Sequence, residues 1–443
     1  MFFDLFVIGG GSGGVRAARI ASQNGLKVGL AEAKELGGTC VNRGCIPKKL
    51  YSYASHFPEE VNIMRSYGWN IGKKTFNWKK LVSAKKKELL RLNNIYKNIL
   101  KNSGVHVFNN WASFYDNQKI ILNNKKIIEA KNIIVAVGSK PKLLDIKGAE
   151  YCIDSDKAFD LKKLPKKILI IGGGYIALEF ASIFNGLGVD TSVCLRSNII
   201  LRGFDEDVSN FLCKSMEEKG IKFFFNQIPN KVEKKNRKYE VTFKNSKKNF
   251  DQIMSAIGRS PMLEGLNIEK TKIKVSRNGA VKVNDYFQTY QKNIFAIGDV
   301  IDRVQLTPVA ISEAMNIIHN LTKQKKKKMN YKNIPTAVFS NPNVATIGLS
   351  EEEAKLKNKK IKIFKTIFKP LKLTLGEFRE KIFIKMVVDF KSNKVLGLHY
   401  VGDNAAEIIQ GFSVAIVKGL KKTDFDNTIG IHPSSAEEIV TLK

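Results

Sequence analysis

The chain begins with a short apolar run, Leu5–Ile8, that feeds into glycines and then into apolar positions at Val15, Ala18 and Ile20. A brief apolar run closed by glycine fits a buried strand, and the spacing that follows fits a helix, so the segment predicts strand, tight turn, helix. A second apolar run follows at Val28–Ala31, and a third strand-like run at Ile133–Val137. The same grammar returns at Ile168–Ile171, with glycines at Gly172 and Gly174 and a further apolar run at Thr191–Leu195. From Tyr331 the pattern changes: strand-like runs at Ile382–Val388 and Val395–Tyr400 precede a helical stretch at Ala405–Lys418. These periods predict an α/β protein with two Rossmann-like units and a C-terminal α+β domain. Residues 1–142 form the first segment of one nucleotide-binding unit, 143–262 a second unit inserted into it, 263–330 its return, and 331–443 the α+β domain.

Length and composition fit this division. A chain of 443 residues with 43% hydrophobic content exceeds one compact core. The formal net charge of +33 raises nucleic-acid binding as an alternative. The excess is mostly Lys and spread along the chain, and its longest run, Lys325–Lys328, is expected to be a solvated loop or helix end, so no nucleic-acid partner is expected. No secretory signal opens the sequence and no apolar stretch reaches the ~20 residues of a membrane span, so a cytoplasmic, membrane-free protein is expected. Of the five cysteines, Cys152, Cys194 and Cys213 lie among apolar neighbours like core thiols, and only Cys40 and Cys45 are close in sequence.

The first glycine turn, Gly9-Gly10-Gly11-Ser12-Gly13-Gly14, suits a dinucleotide pyrophosphate, because side chains there would block the turn, the phosphates and the seating of the helix. Glu32, eighteen residues after Gly14, ends the second run with a carboxylate able to accept from both ribose hydroxyls, which suits FAD or NAD and repels a 2′-phosphate. The second turn carries Gly172, Gly174 and Ala177, and its second run ends in Arg196, with Arg202 six residues on. Cations in that place fit the 2′-phosphate of NADPH.

Between the first turn and a polar helical stretch lies Gly37-Gly38-Thr39-Cys40-Val-Asn-Arg-Gly-Cys45-Ile-Pro-Lys48-Lys49. The Cys-x4-Cys spacing is wider than a zinc hairpin and has no second ligand pair, so no metal is expected. A redox pair is the better account, with thiolate character raised where the segment opens a helix.

With these residues in view, the chain resembles the pyridine nucleotide-disulfide oxidoreductases, and within them the branch that reduces glutathione disulfide. The resemblance rests on the Gly37-to-Lys49 segment, on Gly174-Tyr175-Ile-Ala177-x-Glu179, on Ile297-Gly-Asp299, and on the C-terminal Phe425-to-Glu438 stretch with His432 and Glu437. That last stretch has His-Pro-Ser where the family usually has His-Pro-Thr, which keeps the hydroxyl. The resemblance implies FAD and NADPH as cofactors and a homodimer whose active site is shared between subunits. It makes Cys40 the thiol that attacks substrate and Cys45 the one facing the flavin, with Lys48 paired to Glu179, Tyr175 as a lid, and His432 with Glu437 as the proton-shuttling pair. It also implies that Gly38, Thr39, Gly138, Asp299 and Thr307 contact the flavin and that Gly258 borders the nicotinamide nucleotide. Arg16, Arg19 and Tyr96 are the expected glutathione contacts, although Met315 stands where some members place another arginine. Dihydrolipoamide oxidation with NAD, or reduction of another small disulfide, remain the alternatives. The first conflicts with Arg196 and Arg202.

Overall fold

The structure, a computed structural model, describes residues 1–323, 325–357 and 360–443. Strand β1 (Phe2–Ile8) runs into helix α1 (Ser12–Gln23) and returns through β2 (Val28–Ala31). Helices α2 (Gly38–Asn42), α3 (Cys45–Ser66) and α4 (Trp78–Asn102) follow, then β3 (His106–Phe108), β4 (Ala112–Phe114), β5 (Lys119–Leu122) and β6 (Ile127–Val135). β1 pairs in parallel with β2 and with β6, setting Leu5 beside Val28 on one side and Asn132 on the other. Strands covered on both faces need continuous apolar runs, as Leu5–Ile8 provides with every residue buried.

The first sheet is mixed, with β4–β5 and β5–β6 antiparallel; the chain leaves it through β7 (Ser139–Pro141) and builds another that is parallel throughout. There α5 (Ser155–Ala158) precedes β8 (Lys167–Ile171), α6 (Tyr175–Gly186), β9 (Asp190–Cys194), α7 (Glu206–Glu218) and β10 (Lys222–Phe224). An antiparallel trio, β11 (Lys231–Lys235), β12 (Lys238–Thr242) and β13 (Lys247–Phe250), leads to β14 (Gln252–Ser255), which pairs with β8 and completes the order β10-β9-β8-β14. The return strand β15 (Arg259–Pro261) pairs antiparallel with β7, so the outward and homeward crossings lie side by side. Strand β16 (Ile294–Ala296) then joins β6 in the first sheet, and α8 (Thr307–Thr322) packs on α1.

The remaining chain forms a five-stranded antiparallel sheet from β17 (Thr336–Val338), β18 (Val344–Gly348), β19 (Ile361–Phe368), β20 (Ile382–Asp389) and β21 (Val395–Val401), in the order β17-β18-β21-β20-β19. Helix α9 (Glu351–Leu356) lies between β18 and β19 and contacts the latter; α10 (Ala405–Lys418) covers the sheet, and α11 (Lys422–Asp426) and α12 (Glu437–Val440) close the chain. Lys325–Lys328 is exposed and outside regular structure. Cys152 and Cys194 are buried, whereas Cys213 is half-buried rather than a core thiol.

Candidate active site

Two helices that pack tightly bring the site together. Ser55 of α3 and Gly186 of α6 touch so closely that a Cβ on Gly186 would lie 2.4 Å from the Ser55 carbonyl oxygen. This crossing sets Cys45 and Lys48, one turn apart on α3, beside Tyr175 and Glu179, one turn apart on α6. Lys48 Nζ donates to Glu179 Oε1 at 2.6 Å, and the same oxygen accepts from Phe339 N at 2.9 Å. The pair is nearly buried, and Lys48 Nζ also sits 4.1 Å above the Phe339 ring. Lys49 Nζ lies 3.8 Å from the same ring, and burial followed by the Lys48 charge pushes its amine below the usual lysine range. Phe339 follows a three-residue strand without any local signature, and sequence reasoning missed it.

Cys40 and Cys45 are free thiols that act on one another's proton, and Cys45 Sγ lies 3.9 Å from Thr307 Oγ1. Cys40 is pulled down to about 6, first by the hydrogen bond from Cys45 and also by Thr307, Ser12 and the Lys48 charge, against the opposing effect of burial. Cys45 is pushed up by the same contact and by burial. Cys45 is also the first residue of the 22-residue α3, whose N-terminus attracts negative charge. The pair therefore shares one proton and carries one thiolate near neutrality.

Both thiols open into a cleft of about 910 Å³. Gly9, Gly11, Ser12, Gly13, Glu32, Gly38, Thr39, Gly138, Asp299 and Thr307 line it, as do Lys48, Tyr175 and Glu179. At Gly9 the backbone adopts φ +104°, which favours glycine. A Cβ on Gly14 would meet the Gly9 carbonyl oxygen at 1.9 Å, so Gly14 seats α1 on the turn rather than lining the cleft. Helix α1 has no side-chain cap, which leaves its first backbone N–H groups for an anion. Glu32 Oε2 accepts from Gly10 N at 2.7 Å and Oε1 from Lys34 N at 2.8 Å, fixing the carboxylate at the end of β2. A long cleft with an uncapped helix N-terminus, a ribose-facing carboxylate and a thiol pair fits FAD.

The second glycine turn repeats the arrangement. Gly172 follows β8, Gly174 caps α6 without a side-chain bond, and Ala177 is buried. Arg196 and Arg202 lie beyond β9, both exposed and with no ion pair among the described residues. Gly258 follows β14 and its carbonyl accepts from Lys142 N. Tyr175 belongs to both sites: it starts α6 and lines the main cleft, with its hydroxyl pushed up to about 12 by burial and the Glu179 charge.

Of the expected substrate contacts, Tyr96 is near enough to feel the Cys40 charge. Arg16 and Arg19 lie on α1, which packs on α4 carrying Tyr96. Burial, then the Cys40 charge, pushes the Tyr96 hydroxyl up while Arg16 opposes them. Arg19 Nε is buried without a hydrogen-bond partner. Met315 is exposed on α8. His432 Nδ1 lies 3.1 Å from Glu437 Oε1, but the His432 side chain is 82% exposed and is not part of this chain's own cleft wall.

Residues 3–314 match the pyridine nucleotide-disulphide oxidoreductase family. The chain belongs to this family. Residues 334–443 match the family's dimerisation domain. Over its whole length the chain is 43% identical to the chloroplastic/mitochondrial glutathione reductase of Pisum sativum, covering 82% of that protein. It is 41% identical to glutathione reductase of Nostoc sp. and 40% identical to that of Burkholderia cepacia, covering 99% and 98% of those proteins.

Proposed function

We propose that this chain reduces glutathione disulfide to two glutathione with NADPH, using FAD and the Cys40–Cys45 pair. The observation that carries this reading is the pairing of free thiols at Cys40 on α2 and Cys45 at the start of α3, beside Lys48–Glu179 and in one cleft with the α1 N-terminus and Glu32. The relatives named above support the substrate, and Arg16 and Arg19 give an anionic disulfide cationic partners. Arg196 and Arg202, exposed beyond β9, favour NADPH over NADH and so weigh against a lipoamide reaction.

Bound FAD supplies the two-electron relay between the nicotinamide and the cysteine pair. The residues that hold it in this reading are Gly9, Gly11, Ser12, Gly13, Glu32, Gly38, Thr39, Gly138, Asp299 and Thr307, with Gly14 seating the helix. Gly172, Gly174, Gly258, Arg196 and Arg202 would hold NADPH, with the buried Ala177 seating α6 on the turn, and Tyr175 would be the lid over the flavin side of the cleft. Lys48, fixed by Glu179, keeps a positive charge beside the thiols.

In the reduced pair, the Cys40 thiolate attacks one sulfur of the substrate. A Cys40–glutathione disulfide forms as the substrate S–S bond breaks, and the first glutathione leaves as a thiolate. His432 of the partner subunit, oriented by Glu437, protonates it. Cys45 then attacks Cys40, the second glutathione leaves, and the Cys40–Cys45 disulfide is ready for the next two electrons. The homodimer is thus part of the site in this reading. The unpaired Cys152, Cys194 and Cys213 suit a reducing compartment, and we place the protein in the cytoplasm.

Cys40→Ser tests the assignment. It is expected to abolish disulfide-dependent NADPH oxidation while NADPH still bleaches the flavin in a stopped-flow mixing experiment. Retained turnover would overturn the role of Cys40.

A further inference from the structure

The two crossings between the Rossmann-like units carry a chain of hydrogen bonds that ends on Asp299. Arg259, on the homeward strand β15, donates from Nε to Ser139 Oγ at 2.8 Å and from a terminal nitrogen to the Ser139 carbonyl at 2.6 Å. Ser139, on the outward strand β7, donates its own hydroxyl to Asp299 Oδ2 at 2.6 Å. With Oδ2 engaged, Asp299 Oδ1 has no protein partner among the described residues, and Asp299 lines the cleft.

The directions of these bonds are fixed by chemistry. A guanidinium can only donate, so Ser139 Oγ must accept from Arg259 and spend its single proton on Asp299. The hydroxyl therefore cannot rotate away, and the carboxylate orientation is set from a strand that carries none of the glycine-turn or cysteine machinery. The loop bearing Asp299 is held from the other side as well: Glu313, buried on α8, accepts from Gly298 N at 2.6 Å and from Tyr331 OH at 2.5 Å. One clamp fixes the backbone and the other the side chain.

We propose that Ser139 and Arg259 are positioning residues for the flavin: they orient the Asp299 carboxylate so that Oδ1 meets a hydroxyl of the bound dinucleotide. Arg259 lies on the strand that closes the inserted unit, so the same bonds make flavin affinity depend on how the two crossings are paired. The inference rests on the reading of the cleft as a FAD site and extends it to two residues that share the cleft wall with Asp299 and bond to one another and to it.

The test strips flavin from the full-length protein and titrates FAD back, following quenching of flavin fluorescence. Ser139→Ala is expected to weaken FAD binding about tenfold, the effect of losing one hydrogen bond to a charged group. Ser139→Thr, which keeps the hydroxyl, should bind within about twofold of the parent, and Arg259→Lys, which cannot make the two-pronged contact, should fall between them. Because Ser139 acts through Asp299, Ser139→Ala should add nothing in an Asp299→Ala background. Equal affinity of Ser139→Ala and the parent, or a full additional loss in the Asp299→Ala background, would overturn the proposal. Failure of the parent itself to bind FAD would overturn the FAD site first and this inference with it.

Discussion

Cys40 shows how far a single residue's chemistry depends on neighbours distant in sequence. Its thiol is pulled down to about 6 by Cys45, with Thr307, Ser12 and Lys48 contributing from other elements. A thiolate reacts where a thiol does not, so alkylation of the NADPH-reduced protein by iodoacetamide should rise as pH increases through about 6 and level off by neutrality. A midpoint near the ordinary thiol value of about 8.5 would contradict the shared-proton account. The importance of Cys40 and Cys45 was legible from their spacing. That of Ser139 was not, because its significance comes from Asp299, 160 residues away, to which it donates. Phe339 was equally hidden: what it offers Glu179 is a backbone N–H, which every residue other than proline possesses.

Among the elements, the two glycine turns were the clearest in the sequence because strand, turn and helix each leave a local mark. They are not equivalent, however. A methyl group on Gly14 would collide with backbone at 1.9 Å, whereas one on Gly174, at φ −86°, would meet no protein atom within 4 Å. Gly14→Ala should therefore cost about 3 kcal/mol or more in urea unfolding and release FAD. Gly174→Ala should leave stability within about 1 kcal/mol, yet raise the KM for NADPH by obstructing its pyrophosphate. Similar stability losses in both variants would contradict the distinction. The α3–α6 crossing that joins Lys48 to Glu179 was less visible, since Ser55 and Gly186 declare close packing only once the two helices are known to cross.

Across the whole molecule, the alternation of patterns conveyed two Rossmann-like units and a final α+β domain, but not what faces outward at the C-terminus. Ile429 and Ile431 are 95% and 81% exposed immediately before His432, an arrangement suited to burial against a second subunit. Ile429→Asp with Ile431→Asp is expected to yield a flavin-containing monomer by sedimentation, with turnover lowered at least about 100-fold by loss of the partner's acid. A fully active monomer would contradict the shared site. The Lys325–Lys328 run is exposed and lies outside regular structure.

The central claim is tested most directly by following NADPH absorbance with the purified protein and glutathione disulfide. Oxidation should require the disulfide, consume one NADPH for every two thiols formed, and run far more slowly with NADH. A flavin-loaded protein that NADPH reduces, but that glutathione disulfide cannot reoxidise, would contradict it.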